Sequence, residues 1–197
     1  SKKAFYVMQH LLTPTSKKIE PFVWWEGAFT EEELDRLQTK AVAAKGEPKI
    51  AGDKTDLELR RTAIDWIDNN SEFGWVFNKL SRVVSELNAQ YFNFSLTGFG
   101  EPLQLGNYTE EEQGTYGWHQ DFGKGPSRKL TLVLQLSDPA DYEGGNLEIL
   151  TAREPERLRK QRGLVILFPC WTLHRVTPVV RGSRQTLVTW ISGKPFV

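Results

Sequence analysis

Residues 163–192, GLVILFPCWTLHRVTPVVRGSRQTLVTWIS, are the most informative stretch for the fold class, because they contain three strand-like runs at 163–169, 172–176 and 185–192. The same pattern continues back towards Gly98, with runs at 103–108, 117–121, 130–137 and 146–150. Glycine, proline and charged turns separate the runs. Many short strands at this spacing are typical of a sandwich or barrel.

The first half of the chain has helical patterns. Thr30 and the three glutamates that follow it form a capping-box sequence, which predicts a helix over about residues 31–44. An apolar stripe predicts a second helix over about residues 72–90, and residues 61–67 alternate like a strand. We therefore predict an α+β protein with a single domain, residues 1–197. Residues 1–97 would supply mainly helical support and the first strands, and residues 98–193 the β core with the site.

Charge and cysteine content narrow the function classes. Lysine plus arginine and aspartate plus glutamate number 25 each, so the formal net charge is zero and indicates no nucleic-acid or membrane partner. The single cysteine, Cys170, fits a reducing compartment, and we expect it to be a small buried residue. No apolar run reaches transmembrane length and residues 1–8 lack a signal peptide's apolar segment, so we expect a cytoplasmic protein.

Three smaller features have structural interpretations. The charged stretch 152–162 is expected to be an exposed loop or a short helix. The pair Gly144-Gly145 favours a hairpin or bulge, or a tight turn with a close backbone approach. His10 has no partner motif and is expected at the surface.

The other two histidines of the chain suggest a metal site. His119 and Asp121 are two residues apart, so on an extended strand both side chains reach the same face. His174, on a distant strand, would complete a set of two histidines and one carboxylate, which leaves coordination positions open as in non-haem Fe(II) oxygenases. The alternative is that each histidine is a half-buried, hydrogen-bonded residue without a metal.

Arg184 favours the metal interpretation. It shares a strand face with Thr186, Val188 and Trp190, and an arginine among apolar residues is costly unless an anion meets it. A guanidinium can bind a carboxylate through two hydrogen bonds, and the Thr186 hydroxyl can donate another. A dicarboxylate between the metal and Arg184 would satisfy both ends. The alternative partner for Arg184 is an internal acid.

Taken in order, these motifs resemble a known family. They comprise Tyr108 and the segments YGWHQD (116–121), RKLTL (128–132), YEGGNL (142–147), GLVILFP (163–169), HRVTP (174–178) and GSR (182–184). The series resembles the prolyl hydroxylase branch of the Fe(II)- and 2-oxoglutarate-dependent oxygenases, in particular the bacterial PKHD-type hydroxylases, and is similar to the animal oxygen-sensing prolyl hydroxylases. The likeness covers about residues 98–193. It implies a double-stranded β-helix (jelly-roll) core with N-terminal supporting helices.

The resemblance also implies roles for individual residues. His119, Asp121 and His174 would bind Fe(II), and Arg184 would bind the distal carboxylate of 2-oxoglutarate. Further co-substrate contacts are expected from Tyr108, Thr186 and Gln135, the last standing where the animal enzymes have a second tyrosine. The expected substrate pocket contains Thr131, Val133, Leu147, Val176 and Trp190, although core packing explains the last three equally well.

The implied activity is that of a dioxygenase that uses Fe(II), 2-oxoglutarate and dioxygen, with ascorbate as a candidate reductant. The first choice of substrate is a prolyl residue in a protein or peptide. Two alternatives stay open. One is hydroxylation of a free amino acid or other small metabolite, and the other is a β-helix module that binds a metal or ligand without catalysis.

Overall fold

The computed structural model describes residues 19–47, 58–123 and 127–195, so His10 lies outside the described residues. Two α-helices, Glu31–Val42 (α1) and Gly74–Leu87 (α2), confirm the two predicted helices, each a few residues shorter than expected. A π-helical turn, Asn88–Phe92, follows α2. Within the described ranges, none of the helices combines the length and apolarity needed to cross a membrane.

The predicted capping box at the start of α1 is present. The backbone N–H of Glu33 donates to Thr30 Oγ1 at 3.3 Å, and the backbone N–H of Thr30 donates to the Glu33 carboxylate at 2.8 Å. Each bond satisfies a backbone donor that the first helical turn leaves free. The helix buries Leu34, Leu37 and Ala41 on one side, which fixes its orientation on the core.

Thirteen strands account for most of the remaining described chain. In chain order they are β1 (Val23–Trp25), β2 (Arg60–Arg61), β3 (Ala63–Ile67), β4 (Leu96–Phe99), β5 (Leu103–Thr109), β6 (Thr115–His119), β7 (Arg128–Gln135), β8 (Tyr142–Gly144), β9 (Leu147–Leu150), β10 (Glu156–Arg157), β11 (Val165–Pro169), β12 (Leu173–Val176) and β13 (Val179–Gly193). Every strand-like run predicted from the sequence corresponds to one of them. The main difference lies in β13, which begins six residues earlier than expected.

The strands form two antiparallel sheets. The larger sheet has the order β1-β11-β7-β13-β5-β3, and β4 and β8 also pair with β13. The smaller sheet has the order β10-β9-β12-β6-β2. The long strand β13 ties the larger sheet together, because its first part pairs with β8 and its later part pairs with β7, β5 and β4.

The larger sheet packs against a different layer on each side. On one side Leu130, Leu132 and Leu134 of β7 belong to the main core together with the buried residues of α1 and α2. On the other side Val133 belongs to a smaller cluster with Leu147 and other residues of the smaller sheet. The two sheets therefore face each other, and the helices support the outer side of the larger one. This architecture confirms the predicted jelly-roll core with supporting helices.

The charged stretch 152–162 and the Gly144-Gly145 pair can both be compared with their predicted structures. The stretch 152–162 is largely exposed, but instead of a helix it contains β10, which pairs with β9. Gly144 and Gly145 both have positive φ angles, and a Cβ atom on Gly144 would lie 2.0 Å from the carbonyl oxygen of Pro178. The glycine pair therefore permits a close backbone approach beside β13.

The capping box yields a stability prediction. Thr30→Ala should lower the free energy of unfolding by about 1 kcal/mol, because the N–H of Glu33 loses its acceptor. Thr30→Ser keeps the hydroxyl and should stay close to the wild-type value. Urea denaturation followed by circular dichroism measures both variants, and equal losses for serine and alanine would show that the hydroxyl does not stabilise α1.

Candidate metal and co-substrate site

A cavity of about 890 Å³ lies between the two sheets. Eleven of the twelve residues predicted to form the site contribute to its lining, whereas Gln135 does not appear among the described residues that line it. The eleven are Tyr108, His119, Asp121, Thr131, Val133, Leu147, His174, Val176, Arg184, Thr186 and Trp190. Residues far apart in the chain are thus brought to one chamber.

His119, Asp121 and His174 converge at one end of the cavity. His119 lies directly opposite His174 in the antiparallel pairing of β6 with β12. The candidate ligand atoms of the three residues all lie within 4.8 Å of one another. Asp121 Oδ1 is 3.8 Å from His119 Nε2, and Asp121 Oδ2 is 3.6 Å from His174 Nε2. These distances are too long for hydrogen bonds, so the three groups surround a common point, as ligands of one ion would.

The predicted strand 117–121 ends two residues early, at His119. Asp121 therefore owes its position to other contacts rather than to strand alternation alone. Its backbone N–H donates to the carbonyl oxygen of Cys170 at 2.9 Å. The hydroxyl of Thr131 in β7 donates to Asp121 Oδ2 at 2.8 Å. The larger sheet thus holds the carboxylate against the two imidazoles of the smaller sheet.

Backbone carbonyls set the orientation and tautomer of both imidazoles. His119 Nδ1 lies 2.8 Å from the carbonyl oxygen of Gly117, and His174 Nδ1 lies 2.9 Å from that of Thr172. A carbonyl oxygen only accepts hydrogen bonds, so each Nδ1 carries the proton. In the neutral ring each Nε2 then presents its lone pair towards Asp121. This is the arrangement in which metal-binding histidines are held by outer hydrogen bonds.

The carboxylate of Asp121 is kept ionised despite its burial. Burial by itself opposes the charged form, but the positive charges that His174 and His119 carry when protonated, together with hydrogen bonds such as that from Thr131, hold the pKa of Asp121 below its ordinary value. A buried carboxylate between two imidazoles suits a divalent cation. The donor set therefore fits the metal that the sequence predicts.

Arg184 lies on β13 directly opposite Tyr108 of β5, and only 2% of its surface is exposed. Its guanidinium carbon is 5.2 Å from the centroid of the Tyr108 ring. No carboxylate within the described residues forms an ion pair with Arg184. The internal acid that was the alternative partner is thus not found among those residues, and Arg184 retains its positive charge for an incoming anion.

Gly106 leaves space between two residues that line the cavity. It lies in β5, opposite Thr186 of β13. A Cβ atom on Gly106 would lie 3.3 Å from Thr186 Oγ1 and 3.3 Å from Tyr108 Cε2, so a larger residue would crowd both groups. The space beside Gly106, the Thr186 hydroxyl and the Arg184 guanidinium together fit an elongated acid such as 2-oxoglutarate.

Gln135 corrects the sequence prediction. It was expected in the pocket because it shares a strand face with Thr131 and Val133. In the structure its side-chain N–H donates to the carbonyl oxygen of Arg159 at 2.8 Å, and its backbone pairs with Gly163 and Leu164. The loop after β10 therefore engages Gln135 at the end of β7, which draws its side chain away from the cavity.

Sequence reasoning missed two cavity residues that contact the metal site. Arg60 in β2 lies opposite Tyr116 in β6, and its guanidinium carbon is 4.6 Å from the centroid of the Tyr116 ring. Tyr116 in turn stacks on His119, with ring centroids 3.5 Å apart. Both residues line the cavity. Tyr116 was part of the family motif, but the pairing with Arg60 joins segments more than fifty residues apart and leaves no local sequence signal.

Cys170 lies beside the site without facing the cavity. Its side chain is fully buried, as expected, and its Sγ donates to the carbonyl oxygen of Arg128 at 2.9 Å. Burial raises the pKa of the thiol to about 11. Among the described residues, the ligand atoms that converge on the metal site belong to His119, Asp121 and His174 and do not include Cys170 Sγ. Cys170 is therefore a structural neighbour of the site rather than a fourth ligand.

The contact between Thr131 and Asp121 generates a testable prediction. Thr131→Val should weaken the binding of Mn(II) by about tenfold or more, because Asp121 loses the donor that orients it. Thr189→Val is the matched control, since the buried Thr189 hydroxyl has no hydrogen-bond partner among the described residues. Calorimetric titration with Mn(II) measures both. Equal affinities in the two variants would contradict a role for Thr131 in holding the metal site.

Comparison with known proteins agrees with the fold and the site. Residues 103–192 match the model of the 2OG-Fe(II) oxygenase superfamily. A PKHD-type hydroxylase of Synechococcus sp. (strain CC9605) is 45% identical over 80 residues, which cover 39% of this chain and 36% of the relative. A PKHD-type hydroxylase of Prochlorococcus marinus is 31% identical over 142 residues, which cover 70% and 59%. The chain thus spans less than two thirds of the length of these relatives.

Solved structures show the same fold at low identity. A Trichoplax adhaerens prolyl hydroxylase, solved in complex with a peptide fragment of the hypoxia inducible factor oxygen degradation domain, aligns with a TM-score of 0.76 and 15% identity over 98% of this chain and 90% of that one. A Pseudomonas putida prolyl-4-hydroxylase aligns with a TM-score of 0.71 and 18% identity over 95% and 98%. The predicted resemblance to the 2OG-Fe(II) oxygenase superfamily is confirmed over residues 103–192, slightly less than half of the chain.

Proposed function

We propose that this chain is a dioxygenase that uses Fe(II), 2-oxoglutarate and dioxygen to hydroxylate a C–H bond. The observation that carries the proposal is that one cavity holds both the three-residue metal site and Arg184, a buried cation with no ion-pair partner among the described residues. A metal site alone would also fit a module that binds without catalysis. The additional cation suits a co-substrate with a carboxylate at each end. The match of residues 103–192 to the model of the 2OG-Fe(II) oxygenase superfamily supports the same reaction class.

His119, Asp121 and His174 would hold the Fe(II). Three protein ligands leave coordination positions open for small molecules. Bound together, the metal, 2-oxoglutarate and dioxygen supply the oxidation chemistry. The chain contributes the geometry, because the carbonyl oxygens of Gly117 and Thr172 orient the imidazoles and Thr131 orients the carboxylate.

Arg184 would bind the distal carboxylate of 2-oxoglutarate. The hydroxyl of Thr186, two residues along the same strand face, would donate a further hydrogen bond, and Tyr108 would border the co-substrate from β5. The apolar residues Val133, Leu147 and other side chains of the lining keep water away from the reacting centre. A co-substrate anchored at one end is thus presented to the metal at the other.

A prolyl residue of a protein or peptide is the substrate that we favour. The support is indirect: the curated relatives are PKHD-type hydroxylases, and one structural neighbour was solved with a peptide. A free amino acid or other small metabolite is the second candidate. Screening proline-containing peptides and free amino acids for a mass increase of one oxygen atom separates the two.

The ligand assignment predicts the effect of removing either histidine. His119→Ala and His174→Ala should each abolish the formation of succinate from 2-oxoglutarate, because two remaining ligands cannot hold the metal in place. Purified protein supplied with Fe(II), ascorbate and 2-oxoglutarate provides the assay. His174→Ala protein that forms succinate at the wild-type rate would refute the assignment.

The proposed anchor predicts a different kinetic effect. Arg184→Ala should raise the KM for 2-oxoglutarate by about 10- to 100-fold, since the distal carboxylate loses a charge-assisted hydrogen bond. Metal binding should be retained, because Arg184 is not one of the three candidate ligands. Initial rates at varied 2-oxoglutarate concentration measure the change. An unchanged KM would place the co-substrate elsewhere.

A further inference from the structure

Arg60 is a second buried arginine in the cavity, and neither the family match nor the metal site accounts for it. The matched region begins at residue 103, so it does not include β2. Only 6% of the surface of Arg60 is exposed, although the residue lies on a two-residue strand at the edge of the smaller sheet. Its guanidinium packs over the Tyr116 ring, and the same ring stacks on His119. The charge therefore lies next to the metal site.

The hydrogen bonds of Arg60 are incomplete. Its Nη2 donates to the side-chain oxygen of Gln104 at 2.5 Å, and its Nε has no hydrogen-bond partner in the part of the chain that the structure describes. The ion pairs formed among the described residues do not include Arg60. Burying a guanidinium without a charged partner is unfavourable, and an incoming anion would offset that cost.

Arg128, another arginine of the cavity, is a buried cation whose charge is balanced by an acid. Arg128 packs over the Trp190 ring, with its guanidinium carbon 3.8 Å from the ring centroid. It also donates two hydrogen bonds to the carboxylate of Glu101, at 2.6 and 2.5 Å. Arg60 has the same aromatic contact but a neutral amide in place of the acid. Arg60 therefore differs from Arg128 in that its hydrogen-bond acceptor carries no negative charge.

The sum of the charges in the proposed complex also leaves the charge of Arg60 unbalanced. The two positive charges of Fe(II), the carboxylate of Asp121, the two carboxylates of 2-oxoglutarate and the guanidinium of Arg184 sum to zero. Arg60 is then a buried positive charge that none of these groups balances. A substrate carboxylate would balance it, whereas a neutral amide carbonyl would accept a hydrogen bond and leave the charge uncompensated.

We propose that Arg60 binds a carboxylate of the substrate, and hence that the enzyme acts on an acidic substrate held beside the metal site. This inference rests on the proposed function. The carboxylate has two possible sources, the carboxyl group of a free acid or C-terminal residue and the acidic side chain of a peptide. In both cases the guanidinium of Arg60, which lines the cavity, binds the acid, and the rest of the substrate extends past Tyr116 towards His119.

Direct binding tests the inference without relying on turnover. The protein is loaded with Mn(II) and 2-oxoglutarate in the absence of oxygen and titrated calorimetrically with matched pairs of probes. The first pair is N-acetyl-L-proline and N-acetyl-L-prolinamide, which tests a terminal carboxylate. The second set is the terminally blocked dipeptides Asp-Pro and Pro-Asp against Asn-Pro and Pro-Asn, which tests an acidic side chain.

The wild-type protein should bind the carboxylate member of at least one pair about tenfold more tightly than its amide. In Arg60→Gln that preference should fall to less than about twofold, because the charge is gone while a polar side chain remains. Arg61→Gln is the matched control. Arg61 is the neighbouring residue of β2, does not contribute to the described lining of the cavity, and donates to the carbonyl oxygen of Gln113. This variant should keep the wild-type preference.

The outcomes separate this inference from the proposed function. If the wild-type protein fails to bind 2-oxoglutarate with Mn(II), the proposed function itself is wrong. If it binds 2-oxoglutarate but prefers no carboxylate probe, or binds none of the probes, the role of Arg60 is refuted. A preference that survives in Arg60→Gln also refutes it. Arg60→Gln must bind 2-oxoglutarate as the wild type does, since a loss there would show that Arg60 only supports the fold.

Discussion

The antiparallel pairing of β6 with β12 places His119 directly opposite His174, and the site depends on this register. Side chains alternate along a strand, so a slip of one residue would turn an imidazole out of the cavity. The hydroxyl of Thr115 donates to the carbonyl oxygen of Val176 at 2.8 Å and secures the pairing beyond the backbone ladder. The same backbone also supplies the carbonyl oxygens that orient both rings. The position and the tautomer of the two imidazoles thus both depend on the backbone of β6 and β12.

The sequence predicted those parts of the structure that depend on local spacing. The helices follow from the capping pattern and apolar stripes, and His119 with His174 follow from short motifs on strands. Contacts between segments that are far apart in the sequence could not be predicted from local spacing. The proximity of Arg60 to Tyr116 depends on how β2 pairs, and the loss of Gln135 from the pocket depends on a loop carbonyl. Strand alternation gives the face of a residue, but not the partner that it meets there.

Charge compensation distinguishes the three buried arginines of the cavity. Glu101 neutralises Arg128, whereas Arg184 and Arg60 have no acid partner among the described residues. An anion that enters the chamber therefore meets two places where binding removes an electrostatic cost. Arg184 lies beside Tyr108 on the larger sheet, and Arg60 lies against Tyr116, which stacks on the metal ligand His119. Which ligands the cavity can bind therefore depends on the positions of the two uncompensated arginines as well as on the shape of the cavity.

The two faces of the larger sheet have different roles, because one packs in the main core and the other lines the cavity. In β7, Leu130 and Leu132 pack in the core beneath the helices, while Thr131 and Val133 between them face the chamber. Replacements at the chamber positions leave the main core beneath the helices in place, although Val133 also packs in the smaller cluster. A lineage built on this scaffold can therefore change what the cavity accepts by mutation on one face of the strand while the other face keeps the main core.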